Sequence, residues 1–180
     1  MDHTDHVNLL RPANLAAGGT WADFGAGAGA FTLALRELVG THANIYAVDK
    51  DSRALRELEK AHREKFTTSQ NVHTVRADFS GALSLPPLEG IVMANSLHYF
   101  KDREKILRHV RSFLKLQGAL LLIEYNVDSG NPWVPYPLSF ETYRTLAPHA
   151  GFAEPQLLGI APSRFLKEFY SAVTYRISAR

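Results

Sequence analysis

The sequence predicts an α/β protein: a three-layer αβα sandwich on a mostly parallel seven-stranded sheet with an antiparallel last strand. Three observations predict it. Short apolar runs over 20–24, 45–49, 72–75, 91–94 and 119–123 alternate with longer segments, the pattern of βαβ units. A glycine-rich turn with Gly25, Gly27 and Gly29 joins the first run to a helical pattern. The last two runs, 155–160 and 169–177, have no helix between them, so they form an antiparallel pair at the sheet edge.

The elements follow in order. Residues 1–10 read as poorly structured, with Val7, Leu9 and Leu10 available to pack, and Leu9 and Leu10 to help close a cleft. Pro12 suits the first turn of a short helix through Ala17, which Gly18 and Gly19 end. After the first strand and the glycine turn, Phe31, Leu35 and Leu38 keep helical spacing as far as Gly40. The second strand ends at Asp49, and Asp51 or Ser52 caps a charged helix with Leu55 and Leu58 inward. The third strand leads to Asp78 and Phe79, and Pro86 and Pro87 mark a loop. The fourth strand ends at Asn95-Ser-Leu-His98, and Asp102 caps a helix with Ile106, Val110, Phe113 and Leu114 in one stripe, broken at Gly118. The fifth strand continues to Glu124 and Tyr125. A loop over 126–138 carries Pro132, Trp133, Pro135, Tyr136 and Pro137, and Ser139 caps a helix from Phe140 toward His149. This gives one domain over 1–180: an N-terminal segment at 1–19, a cofactor-binding core at 20–125, and a substrate-side region at 126–180.

Composition narrows the function. The absence of cysteine excludes disulfides, iron–sulfur clusters and thiolate zinc sites, and fits a cytoplasmic location. The N-terminus is polar and acidic, unlike a signal peptide, and no apolar run reaches the length of a membrane span. A net charge of +2 neither demands nor excludes nucleic acid. His3 and His6 have the helical spacing of a metal pair, but a disordered terminus explains them better, and no metal is expected.

The chemistry should sit where the parallel strands end. Glycines at alternate positions let backbone approach a ligand, and the next helix points its free N–H groups there. Gly25, Gly27 and Ala30 satisfy G-x-G-x-x-G/A, while Asp23, Gly25, Gly27 and Gly29 satisfy D-x-G-x-G-x-G. Asp49 lies about 20 residues on, where an acid chelates ribose hydroxyls; it suits either cofactor.

The second pattern resembles the first motif of class I S-adenosylmethionine-dependent methyltransferases, the small-molecule type above all. Asp78 resembles the family's acid for the adenine amino group, with Phe79 beside the ring. Asn95 and Ser96, in Asn95-Ser-Leu-His98, resemble the motif at the methionine end. The expected terminal hairpin resembles that family too, so the likeness spans nearly the whole chain. It implies S-adenosyl-L-methionine as cofactor and S-adenosyl-L-homocysteine as product. The implied cofactor residues are Asp23, Phe24, Gly25, Gly27, Gly29, Asp49, Lys50, Asp78, Phe79, Asn95 and Ser96. A nicotinamide-dependent oxidoreductase is the weaker reading, because Tyr99 is followed by Arg103 and not by the lysine of a Tyr-x-x-x-Lys pair.

Methyl transfer from a sulfonium is an in-line displacement that needs positioning above all. His98, just after the fourth strand, is the candidate base. Tyr99, Tyr125, Trp133 and Tyr136 are candidate substrate contacts. Glu124 is either an ion-pair partner or a substrate contact. Lys101, Arg103, Lys105, Arg108, Arg111 and Lys115 make a basic helix, the first suspect if the acceptor were RNA. No Asn/Asp-Pro-Pro-aromatic motif follows the fourth strand, which favours a small-molecule acceptor. An RNA or protein methyltransferase and a non-catalytic cofactor-binding module are the alternatives. With no large insertion to roof the pocket, a second subunit in a homodimer is one source of a lid.

Overall fold

Among the residues described by the computed structural model (1–66, 71–163 and 165–178), seven strands share one sheet. They are β1 (Thr20–Phe24), β2 (Asn44–Asp49), β3 (Val72–Arg76), β4 (Leu88–Ala94), β5 (Leu114–Tyr125), β6 (Gln156–Pro162) and β7 (Glu168–Tyr175). The order is β3-β2-β1-β4-β5-β7-β6. The first five pair in parallel, and β7 runs antiparallel to both β5 and β6. The expected sandwich with its antiparallel edge is therefore present. Burial explains the order. Central β1, β4 and β5 are apolar on both faces, while edge strands β3 and β6 are half exposed.

Five α-helices are described: α1 (His3–Leu10), α2 (Ala30–Val39), α3 (Ser52–Lys65), α4 (Arg103–Phe113) and α5 (Phe140–His149). On one face α4 and α5 bury Ile106, Leu107, Val110, Tyr143 and Ala147 against Phe24, Met93, Leu122 and Tyr170. On the other, α1 and α2 bury Val7, Leu10, Phe31 and Leu35 against Trp21, Ile45, Val92 and Leu121. Leu55 and Leu58 of α3 pack on Ala26 and Ala47.

Four expectations need correction. Residues 3–10 are a helix, because Asp2 and Asp5 form a reciprocal capping box and three apolar side chains are buried. Leu9 and Leu10 therefore sit in the core beside α2 and close no cleft. The segment after Pro12 is only a turn of 3₁₀ helix, Arg11–Ala13, since Asn14 adopts a left-handed conformation with φ +49°. Helix α4 stops at Phe113: buried Leu114 already pairs with Leu88 in the sheet. Gly118 is a bend inside β5, beside Gln117 at φ +62°, where a Cβ would lie 2.8 Å from the Lys115 carbonyl. His3 lies 2.7 Å from Glu37, and the His6 ring packs on Phe31.

Candidate active site

The glycine turn is held from beneath. The N–H groups of Gly25 and Ala26 both donate to Val48 O, at 2.9 and 3.1 Å. Gly27 N donates to Asp49 Oδ2 at 2.8 Å, so the acid ending β2 clamps the turn ending β1. The three glycines have different causes. A Cβ on Gly25 (φ +82°) would lie 2.6 Å from Ser96 Cβ, and one on Gly29 (φ +92°) would lie 2.5 Å from Leu58 Cγ. Both are demanded by the protein's own packing. A Cβ on Gly27 (φ +52°) would meet nothing within 4 Å, so here backbone borders open space.

A cleft of about 580 Å³ opens beside this turn, at the carboxyl ends of the parallel strands. Its walls include Gly25, Asp49, Lys50, Asp78, Phe79, Asn95 and Ser96, all named by the sequence, and also Ala77, Tyr99 and Phe100. Ala77 and Phe100 were missed, though each adjoins a motif that was read. Asp49 also accepts from Asp51 N through Oδ1. Asp78 Oδ1 accepts from the Ser80 hydroxyl at 2.6 Å and from Ser80 N at 2.9 Å. These bonds hold its carboxyl below the ordinary range, so it is an anionic acceptor. Phe79 stacks on Phe24, with centroids 5.3 Å apart and planes 11° apart. Ser96 Oγ donates to Phe24 O at 2.9 Å, tying the end of β4 to the end of β1.

Asp23 and Phe24 lie behind the cleft. Phe24 is fully buried under Phe79. Asp23 is 1 % exposed; Thr32 Oγ1 donates to its Oδ2 at 2.6 Å, while Oδ1 has no partner. Burial pushes its carboxyl up to about 7. The sequence placed Asp23 with the ligand contacts; the structure places it in the support beneath the turn.

Asn95 holds the central position. It has a positive φ of +52°, and its Oδ1 is buried without a partner. It lines the cleft and also a second cavity of about 380 Å³, together with Tyr99. The second cavity adds His98, Tyr125, Trp133, Val134 and Phe165. His98, in the 3₁₀ turn Leu97–Tyr99, is 2 % exposed. Its Nδ1 lies 2.7 Å from Oε2 of fully buried Glu124, whose Oε1 accepts from Leu97 N and His98 N at 2.9 and 3.2 Å. Glu124 therefore fixes the ring and selects the tautomer protonated at Nδ1. The opposite nitrogen, Nε2, is left for the cavity.

The aromatic loop is strapped to this turn. Tyr136 N donates to His98 O at 2.9 Å, and Arg103 donates to Pro137 O at 2.6 Å. Trp133 stands 71 % exposed on the cavity wall. Tyr136 forms no part of that wall: its backbone belongs to the strap. Other cations of α4 and its flank are also engaged. Arg111 donates to Gly151 O and Ile177 O, Arg108 pairs with Glu104, and Lys115 pairs with Glu89.

Comparison with known proteins agrees with this geometry. The family described as "Methyltransferase domain" matches residues 22–120, more than half of the chain. No curated protein sequence matches it. The YcgJ protein of Bacillus subtilis is similar in structure at 16 % identity, covering 99 % of this chain and 100 % of that one, with a TM-score of 0.78. Human N-acetylserotonin methyltransferase, solved with S-adenosylmethionine, is 18 % identical over 97 % of this chain and 52 % of its own, with a TM-score of 0.70. Magnesium protoporphyrin IX methyltransferase of Synechocystis, also solved with S-adenosylmethionine, is 15 % identical over 96 % and 76 %, with a TM-score of 0.72. At these identities the likeness speaks for the fold. With its family match, its strand order and a glycine turn clamped by the acid of β2, the chain belongs to the methyltransferase-domain family and has the class I methyltransferase fold.

Proposed function

We propose that the cleft beside Gly27 binds S-adenosylmethionine and that the adjoining cavity binds a small-molecule acceptor. Asn95 carries this reading. It is held left-handed at φ +52° on the wall that both cavities share, and a backbone so held where cofactor and acceptor would meet supports a ligand-facing role. The other residues fit the same group. Asp49 suits ribose hydroxyls, anionic Asp78 suits an adenine amino group, and Phe79 offers a ring face. Lys50 lines the adjoining wall, and Ser96 and Asn95 stand at the end nearest the acceptor. When bound, the cofactor supplies an electrophilic methyl carbon on a sulfonium, and its product is S-adenosylhomocysteine.

The protein's own part is placement and proton transfer. Tyr99 and Tyr125 hold an acceptor against His98, and Trp133 covers it from solvent. His98 Nε2 takes the acceptor's proton, while Glu124 steadies the ring as it becomes cationic. A dyad built into the acceptor cavity supports turnover over mere binding. The commitments of Arg103, Arg108, Arg111 and Lys115 within the protein weigh against an RNA acceptor. Among the described residues no helix is long and apolar enough to cross a membrane. The lack of cysteine supports a cytoplasmic setting. A homodimer supplying the lid is the remaining element of this reading; light scattering that returns the mass of one chain would remove it.

The test is calorimetry with S-adenosylhomocysteine on the wild-type protein and on Asn95→Gly. The substitution removes the unpaired oxygen, worth about 1–3 kcal/mol, against about 0.4–1 kcal/mol of added freedom in the unfolded chain, so stability should rise by about 1–2 kcal/mol. Cofactor affinity should fall by at least about tenfold, or 1.4 kcal/mol. A wild-type protein that does not bind, or a variant that binds equally well, refutes the assignment.

A further inference from the structure

His98 is anchored at three atoms, and two of the anchors come from β5. Glu124 accepts from its main-chain N–H and engages its ring Nδ1. The third anchor is its carbonyl oxygen, which accepts from Tyr136 N at 2.9 Å. Tyr136 stands between Pro135 and Pro137. Proline has no N–H, so Tyr136 N is the one main-chain donor over 135–137, and it is spent on His98. The fixed φ of the two prolines stiffens this strap, so the turn just before it follows its movement. That turn is closed by Asn131, whose Oδ1 accepts from Trp133 N and Val134 N at 2.9 and 3.0 Å. It carries Trp133 and Val134 onto the acceptor cavity.

The strap needs a fastening of its own, and Arg103 supplies it. Its Nη1 donates to Pro137 O at 2.6 Å and reaches Tyr136 O at 3.4 Å. Arg103 opens α4, whose start is fixed by Asp102 accepting from Lys105 N at 3.0 Å. Asp128, in the same loop, feels the same cation: against partial burial, bonds from Ser139 and Thr142 and then the charge of Arg103 hold its carboxyl below the ordinary range. The result is a closed circuit, from His98 to Tyr136, from the strap to Arg103, and back to His98 along the chain.

We propose that Arg103 is a positioning residue of the acceptor site: by fastening the strap it holds His98 and the Trp133 wall as one rigid unit. This rests on the acceptor reading above and deepens it. Arg103 is part of neither the cleft wall nor the acceptor wall, so it acts through Tyr136. Loosening the strap would let the base and the wall drift together, at the expense of orientation, while the cofactor cleft is left alone.

Hydrogen exchange by NMR on the full chain tests this with Arg103→Met, Arg103→Lys and, as a control, Arg108→Met, whose guanidinium pairs with Glu104 on the exposed side of the same helix. Methionine keeps the aliphatic stem and loses the donors. Arg103→Met should speed exchange of the Tyr136 amide by about 10- to 100-fold, the loss of a charge-assisted bond. The His98 Nδ1–H proton, shielded against Glu124, should exchange faster in the same variant. Lysine keeps a cation with several donors and should recover most of the protection, and Arg108→Met should change neither signal. Calorimetry with S-adenosylhomocysteine should give an affinity within about twofold of wild type throughout, which also shows that each variant folds. An unchanged Tyr136 amide in Arg103→Met overturns the clamp. A faster Tyr136 amide with the His98 proton untouched makes Arg103 a loop fastener alone and overturns the positioning role. A lysine variant no better protected than the methionine variant overturns the donor role. The exchange rates report the clamp by themselves, so they can fail while the cofactor reading stands. If S-adenosylhomocysteine does not bind the wild-type protein, it is the cofactor reading that fails.

Discussion

Exchanging Gly27 and Gly29 for alanine, one at a time, separates ligand binding from folding. Both residues have positive φ, so each alanine carries a left-handed strain of about 1–2 kcal/mol. Each also gains about 0.4–1 kcal/mol from a stiffer unfolded chain. At Gly27 nothing else enters, because a Cβ would find no heavy atom within 4 Å. The net change there is about 1 kcal/mol or less. At Gly29 the Cβ would sit 2.5 Å from Cγ of Leu58, which is fully buried and cannot retreat to solvent. Overpacking of that kind adds about 1–3 kcal/mol, for a net loss of about 2–4. In a chain of this length that is a drop in Tm of roughly 5–15 °C for Gly29→Ala and a few degrees at most for Gly27→Ala. Ligand binding should run the other way: Gly27→Ala puts a methyl into the open space beside the turn whose Gly25 lines the cleft, and should weaken S-adenosylhomocysteine at least about tenfold. Thermal melts and calorimetry on the same two variants decide it. Equal melting temperatures would refute the packing argument, and unchanged affinity in Gly27→Ala would refute the reading of the open space.

Two further predictions rest on buried carboxyl groups. Asp23 is lifted from 3.8 to about 7 by burial, so between those values the folded protein keeps a proton that the unfolded chain has released. Stability should therefore fall as pH rises through that window and level off above it, whereas Asp23→Asn, with nothing to titrate, should lack the slope. Urea melts at pH 5 and pH 8 check this, and parallel behaviour of the two proteins would count against it. Glu124→Gln can still accept from Leu97 N and His98 N but presents an amide N–H to His98 Nδ1, which moves the ring proton to Nε2. Methyl transfer to a phenol should slow by about 10²–10⁴ with S-adenosylhomocysteine affinity unchanged; an unaltered rate would remove His98 as base.

Much of the fold was legible because its signals are local. The runs ending at Phe24, Asp49 and Ala94 are apolar, flanked by turn residues, and buried in the sheet. The hairpin of β6 and β7 was legible from a missing helix. The failures came where tertiary contacts outweighed local preference. Leu114 to Gln117 continues an amphipathic helical pattern, yet the pairing of buried Leu114 with Leu88 of β4 draws it into the sheet. The N-terminal helix was missed because its cap uses Asp2 and Asp5, an acid–acid variant of the serine–glutamate box, and because its apolar face needs α2 as partner.

The candidate site divides along the same physical line. Residues whose role follows from strand ends, such as Asp49, Asp78 and Asn95, could be placed on the cleft from sequence position alone. Residues whose role depends on which way a side chain turns could not. Asp23 precedes the glycines by two residues, and strand alternation sends its carboxyl under the turn to Thr32 instead of toward the ligand. Glu124 and His98 are 26 residues apart, and their pairing appears only once β5 is laid beside β4. The three glycines look equivalent in a motif, yet Ser96 and Leu58 account for two of them. A motif thus records where the backbone must be bare without recording what comes close. Of its glycines, Gly25 lines the cleft and Gly27 has room for a Cβ, so a ligand contact to this turn is most informatively sought by substitution at Gly27.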